Sequence, residues 1–132
     1  MRELGEFLGT MIIISYGLAL LSFLLKWLNK NFSKQINQME WLKNRFPKVM
    51  KFFVKNHRFF GFAAVLFILL HFGIQFSLYG VSPTGALAAG LMILQVVVGL
   101  YGHKRARRSK LWLWMHRMIA VVIGIAILIH IN

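Results

Sequence analysis

The sequence predicts an all-α fold, an integral membrane bundle of four helices in one domain (1–132). Composition, four long apolar runs and the placement of the basic residues each support this prediction. Hydrophobic residues make up 58% of the 132 residues, and the mean hydropathy is +0.65. Because a bilayer core requires about 20 mainly apolar residues for each helical span, a chain of this length and composition suits four spans.

Four apolar runs define the predicted spans, and none of them contains Asp or Glu. They cover about 7–25, 59–79, 84–102 and 111–131. The second helix is expected to begin before its apolar run and to cover 48–79, because Pro47 suits the first turn of a helix. The first run lacks the basic flank and cleavage site of a signal peptide, so it is expected to remain as an anchor.

The connection between spans 1 and 2 is predicted to hold an interfacial amphipathic helix over about 30–46. Phe32, Ile36 and Met39 recur at helical spacing in this segment. Polar side chains occupy the positions off that stripe: Lys30, Lys34, Asn37 and Gln38. A helix with this pattern lies in the membrane interface, with its polar face toward headgroups and water.

The basic residues are concentrated at one end of the predicted spans. Nine of the sixteen Lys and Arg residues lie in 26–58, and six lie in 104–117, around an inner turn at 103–110. The connection after span 2, where Pro83 marks a tight turn, has no charged side chain. By the positive-inside rule, the basic stretches are cytoplasmic and both termini lie outside, as expected in a bacterial cytoplasmic membrane. The net charge of +13 therefore indicates topology and contact with anionic lipid headgroups, with no nucleic acid partner.

Four of the five histidines form a repeated pattern on spans 2 and 4. His57 and His71 are fourteen residues apart, and so are His116 and His130. Fourteen residues make nearly four helical turns, so each pair lies on one helix face, about 21 Å apart along the axis. Because spans 2 and 4 run in the same direction, His57 is expected near the depth of His116, and His71 near that of His130. Two such pairs supply the neutral nitrogen ligands that a haem iron takes on opposite sides of its ring.

Roles without haem suit these histidines less well. A single histidine in an apolar helix commonly makes an interhelical hydrogen bond, but polar residues deep in a bilayer are costly and usually functional. Zinc and copper sites cluster their ligands or use cysteine and carboxylates, and the chain has no cysteine. A proton relay normally combines histidine with intramembrane Asp or Glu. His103 lacks a partner at the repeated spacing, so we interpret it as a loop residue.

Further residues are consistent with haem binding, although each also suits an ordinary structural role. Gly85 and Gly99 on span 3 are again fourteen residues apart and let a helix approach a flat ring, but small residues equally serve helix packing. Arg58 and Arg117 follow the inner histidines and can pair with haem propionates, but the positive-inside rule alone also accounts for them. Trp112 is interpreted, like Trp114, as an anchor in the interfacial aromatic belt.

The segments HRFFGFAAVLFILLH and HRMIAVVIGIAILIH resemble the ligand helices of transmembrane di-haem b cytochromes. The likeness is to ferric-reductase-like and NADPH-oxidase-like membrane domains, and to respiratory cytochrome b. It implies that two parallel, non-adjacent helices each supply one ligand to each of two non-covalent, bis-histidine haem b groups. His57 and His116 would bind the inner haem, and His71 and His130 the outer one. Ferric-reductase-like domains usually have six spans and are often followed by flavin and nicotinamide domains, whereas this sequence has four predicted spans and no G-x-G-x-x-G motif.

These features favour transmembrane electron transfer, from membrane quinol or a cytoplasmic reductase to an acceptor on the other side. Because the chain has no G-x-G-x-x-G motif, any enzymatic activity is expected to act through the haems, as in ferric or quinone reductases. One alternative is the cytochrome b anchor subunit of a larger dehydrogenase or hydrogenase complex that reduces quinone. Another is a haem-free structural or transport membrane protein. A homodimer and a subunit of a complex are both compatible with the sequence.

Overall fold

A computed structural model of the chain describes residues 1–104 and 109–132. Within these ranges it contains four α-helices, α1 (Arg2–Gln38), α2 (Glu40–Tyr79), α3 (Pro83–Lys104) and α4 (Lys110–Ile131). All four are long and apolar enough to cross a membrane. The predicted all-helical fold with four long apolar helices is therefore confirmed, whereas half of the predicted inner turn at 103–110, residues 105–108, lies outside the described residues.

Helix α2 is much longer than a bilayer core requires. It has 40 residues, which at 1.5 Å per residue correspond to about 60 Å. The hydrocarbon core of a bilayer is roughly 30 Å thick. About half of α2 therefore exceeds the length needed to span, and this half is the basic one that precedes residue 59.

The start of α2 differs from its prediction near Lys48. The helix begins at Glu40, and Pro47 lies inside it. Proline has no N–H to donate to the carbonyl of Lys43, and inside a helix it costs about 3 kcal/mol. The helix tolerates this loss because Lys43 and Pro47 are both exposed, so water can bond the carbonyl.

The predicted interfacial helix over 30–46 is not a separate element. The segment is divided between the end of α1 and the start of α2, which meet at a bend at Met39. Phe32 has non-helical dihedral angles, with φ −121° and ψ 21°, and the resulting kink separates the last turns of α1 from its apolar part. No Gly or Pro interrupts 26–46, so the helical periodicity that predicted a separate helix is equally compatible with a longer α1 and an earlier start of α2.

The chain divides into two compact units. Unit 1 consists of Met1–Thr10 and Val65–Asn132, and unit 2 consists of Met11–Ala64. In unit 1, α3 packs against α4, and the most buried side chains of this pair are Ala88, Met92, Ile123 and Ala126. Unit 2 is formed by most of α1 and the first part of α2.

Large apolar side chains are exposed along all four helices. Examples are Phe7 on α1, Leu66 on α2, Leu94 on α3 and Ile129 on α4. Soluble monomers rarely expose apolar patches larger than a few hundred Å², whereas a helix that faces lipid tails presents this surface throughout its span. The distribution of apolar side chains is therefore consistent with four helices that cross a membrane.

The turn between α2 and α3 brings polar groups to the start of α3. Gly80 has a φ of 78°, a left-handed conformation that glycine adopts without strain. Ser82 precedes the helix, and its side chain accepts a hydrogen bond from the N–H of Gly85 at 3.3 Å. Pro83 is the first helical residue, where its fixed φ and missing N–H are well suited. This turn sets the position of Thr84, which contacts the histidine of α4 described below.

Candidate functional site

His71 on α2 and His130 on α4 lie close together within unit 1. Their ring centroids are 6.4 Å apart, and the ring planes are nearly perpendicular at 89°. Both side chains are half-buried. The structure therefore brings together two of the four histidines that the sequence singles out.

The distance between these two rings suits one metal ion between them. A metal–imidazole bond is about 2.0 Å and a ring nitrogen lies roughly 1.1 Å from its ring centre, so two imidazoles on opposite sides of one ion have centroids about 6.3 Å apart. The observed 6.4 Å agrees with this value. The residues present thus fit the bis-histidine ligation that a haem iron accepts.

A backbone carbonyl of α1 orients the ring of His71. Its Nδ1 lies 2.9 Å from the carbonyl oxygen of Gly5. Because a carbonyl oxygen only accepts, Nδ1 of the neutral ring carries the proton and the lone pair is on Nε2. Histidines that bind metals usually donate their other N–H to such a group. The ring also lies against Gly9, where an added Cβ would be 3.4 Å from Cε1 of His71.

At His130, the group that contacts Nδ1 is a hydroxyl of α3. Oγ1 of Thr84 lies 3.1 Å from Nδ1 of His130, and Oγ of Ser82 lies 3.1 Å from the same Thr84 oxygen. Gly85 faces the ring, and a Cβ at that position would be only 2.9 Å from Cε1 of His130. A larger residue here would therefore have to displace the imidazole.

His57 makes a contact of the same kind within unit 2. Its Nδ1 lies 3.0 Å from the carbonyl oxygen of Ala19 and 3.1 Å from Oγ of Ser22. Ser22 is buried and donates to the carbonyl of Ala19 at 2.9 Å. The carbonyl again places the proton on Nδ1 and the lone pair on Nε2.

His116 is enclosed by α3 and by a tryptophan of its own helix. The indole of Trp112 stacks on the imidazole, with centroids 5.5 Å apart and planes at 17°, and its Nε1–H donates to the carbonyl of Val98 at 2.8 Å. Nε2 of Gln95 donates to the carbonyl of His116 at 2.8 Å. A Cβ on Gly99 would lie 3.3 Å from Cε1 of the imidazole, so this glycine leaves room for the ring.

The fourteen-residue spacing also occurs on α1, a helix in which the sequence analysis predicted no site residue. The two carbonyl acceptors belong to Gly5 and Ala19, which are fourteen residues apart, as are their partners His71 and His57. The two predicted glycines of α3 repeat the step beside the two histidines of α4. The sequence contains a hint of this role for α1, because Gly5 and Ala19 are small residues at the same spacing as the histidines. Small residues are too common for this spacing to predict a contact by itself.

The remaining predicted residues lie at the surface. Arg58 and Arg117 are next to their histidines in the sequence, and their pairing with propionates stays a prediction, as does the pairing of His57 with His116. His103 is exposed in the last turn of α3. Within the described ranges, no group of three or more His, Cys, Asp or Glu side chains is placed to hold a metal ion.

No protein-family model, curated protein or solved structure matches this chain. What the histidines do must therefore be inferred from their own geometry. One pair of rings lies at a distance suited to a shared metal. Carbonyl or hydroxyl groups contact Nδ1 of His57, His71 and His130, and glycines lie against three of the four rings.

Proposed function

We propose that this protein transfers electrons across a membrane through two b-type haems, each held by one histidine of α2 and one of α4. The observation that carries the proposal is the pair formed by His71 and His130. Their centroids are 6.4 Å apart, and each ring makes its hydrogen bond through Nδ1. Nε2 is the nitrogen that remains to bind iron.

The haems supply one-electron chemistry, and the chain supplies ligation, orientation and burial. In this arrangement His57 and His116 bind the inner haem, and His71 and His130 bind the outer one. The carbonyl of Gly5 holds the His71 ring and keeps its lone pair on Nε2. Glycines against the rings leave space for flat groups between the helices.

The proposed orientation follows the positive-inside rule. The basic stretches face the cytoplasm and both termini face outward, in a bacterial cytoplasmic membrane. The kinked end of α1 and the start of α2 lie at and beyond the inner interface. Membrane quinol or a cytoplasmic reductase donates electrons, and an acceptor on the other side receives them. The same arrangement serves a chain that acts alone, as a homodimer or as the cytochrome b subunit of a quinone-reducing complex.

A haem-free structural protein is the competing candidate, and the same hydrogen bonds favour it. Contacts such as that of His71 with the carbonyl of Gly5 join two helices, and joining helices is itself a common role of polar side chains in membranes. Such a role requires only one nitrogen of each ring. It accounts for the 6.4 Å distance between His71 and His130 as an ordinary edge-to-face ring pair, but not for the equal spacing of the histidines on α2 and α4.

The deciding experiment is a reduced-minus-oxidised absorption spectrum of the detergent-purified protein, with a pyridine haemochrome assay for haem per chain. We expect the spectrum of b-type haem and about two haems per chain, one for each pair of axial histidines. Protein that is colourless when made under haem-replete conditions would exclude the electron-transfer function and leave a structural or transport role.

The substitution His103→Ala should leave both haems in place. His103 is exposed at the end of α3, and no other histidine lies fourteen residues from it in the sequence. Haem per chain and the reduced-minus-oxidised spectrum should therefore equal those of the wild type. Loss of one haem would mean that His103, rather than one of the assigned histidines, is an inner ligand.

A further inference from the structure

Four cations form a line on the basic half of α2. They are Lys48, Lys51, Lys55 and Arg58, called here the cationic stripe. Their steps of three, four and three residues keep them on one face of the helix. All four side chains are exposed, and the only acidic residue between Lys26 and Arg58 is Glu40.

The opposite face of the same half of α2 is the packed one. Its half-buried apolar residues are Leu42, Phe46, Met50 and Phe53. At 3.6 residues per turn, this apolar row and the cationic stripe lie about half a turn apart. Helix α2 therefore packs within unit 2 through one face and presents the stripe on the other.

Most of the stripe lies too far from the bilayer for lipid headgroups to cover it. The stripe rises about 15 Å from Arg58 to Lys48, and the apolar run starts at residue 59. Each headgroup layer is only about 5–8 Å thick, so headgroups reach the end of the stripe near Lys55 and Arg58. The usual helix tilt of about 20° shortens the rise by less than a tenth. With the bilayer core starting at residue 59, Lys48 and Lys51 would therefore stand in water.

We propose that the cationic stripe docks an acidic soluble redox protein that serves as the electron donor; its role as donor rests on the proposed function. Opposite charge on the two surfaces raises the rate of productive encounter. Phe52 is 56% exposed beside the stripe and adds the aromatic contact typical of protein interfaces. The partner would give up one electron to the inner haem that His57 and His116 would hold, and no bond would form or break. Arg58 directly follows the inner ligand His57, so docking brings the partner to the inner haem.

The first test measures where the stripe lies. Because the chain has no cysteine, Lys51→Cys and Phe62→Cys each provide a single attachment point for a nitroxide label. In phosphatidylglycerol nanodiscs, a water-soluble relaxation agent should reach the label at position 51, and oxygen dissolved in lipid should reach the label at position 62. A label at position 51 that is shielded from water would assign the stripe to the headgroups and overturn the proposal.

The second test measures docking with an acidic flavodoxin as the probe. In neutral phosphatidylcholine nanodiscs at low salt, Lys48→Glu combined with Lys51→Glu should weaken binding of fluorescently labelled flavodoxin about tenfold. The rate at which reduced flavodoxin reduces the haems should fall by a similar factor, while reduction by a small neutral dye stays unchanged. The double variant Lys48→Arg with Lys51→Arg keeps the charge and should retain the wild-type flavodoxin affinity and the wild-type rate of haem reduction.

The matched control changes the same amount of charge elsewhere, through Lys104→Glu combined with Lys110→Glu. If the two double variants lose flavodoxin binding equally, the attraction comes from a diffuse positive field and not from a docking site. If binding is unchanged in Lys48→Glu with Lys51→Glu, the cationic stripe is not the docking site. An effect seen only in discs that contain phosphatidylglycerol would assign the stripe to lipid. Each of these results overturns the proposal. Flavodoxin binding requires no haem, so docking can succeed or fail separately from electron transfer.

Discussion

Replacing His71 with alanine is expected to remove one haem of two and to leave the other bound. The outer iron loses its ligand on α2, whereas His57 and His116 are unchanged and retain the inner haem. The pyridine haemochrome assay should fall from about two haems per chain to about one, because each pair of axial ligands holds one iron. The reduced-minus-oxidised difference should lose the contribution of a single haem.

Two controls show whether the loss at His71 is a loss of a ligand. Phe72→Ala removes the next side chain, which is exposed, and should retain both haems. Circular dichroism should report equal helix content in both variants. If His71→Ala retains two haems in folded protein, the ligand assignment is wrong.

Gly85→Leu should remove the same haem without touching a ligand. Even a Cβ at this position would be 2.9 Å from Cε1 of His130, so the leucine must push the imidazole away from its place opposite His71. Overpacking of this kind typically costs about 1–3 kcal/mol. We expect about one haem per chain and a lower unfolding temperature, measured by the haemochrome assay and by thermal denaturation.

Gly90→Leu on the same helix provides the matched comparison. A Cβ at Gly90 meets nothing within 4 Å, so this leucine projects from α3 without a clash. Replacing a mid-helix glycine with leucine removes a helix-propensity penalty of up to about 1 kcal/mol. The variant should keep two haems and be at least as stable as the wild type. If the two leucine variants behave alike, the close approach of Gly85 to His130 has no role in haem binding.

The features that the sequence predicted correctly are those that depend on single side chains and their spacing. Four apolar runs of sufficient length predicted four long helices because the cost of exposing a backbone to lipid leaves few alternatives. The starting point of α2 was wrong because Pro47 was treated as a helix start, although a proline exposed to water can lie within a helix. The juxtaposition of His71 and His130 agrees with the depth expected from their positions in spans 2 and 4.

The contacts that orient the histidines were not predictable, since they depend on atoms that a sequence does not distinguish. Every residue has a carbonyl, and nothing at Gly5 or Ala19 indicates that its carbonyl faces an imidazole. Trp112 illustrates a different limit, because its residue type and position suggested an interfacial anchor. In the structure it is half-buried and stacks on His116, and a Cβ at Gly102 would overlap its indole.

The use of peptide carbonyls at positions 5 and 19 has a consequence for how this protein can change during evolution. A hydrogen bond to the main chain does not depend on the identity of the side chain, so it survives every substitution that fits. At position 5 a Cβ would meet Nε2 of Gln75 at 2.8 Å, so a larger residue there requires the Gln75 side chain to move. Two chains can then share the same four-helix arrangement while few of their residues remain identical. Relatives of this protein should be recognisable by a step of fourteen residues repeated on every helix, even where residue-by-residue comparison finds nothing in common.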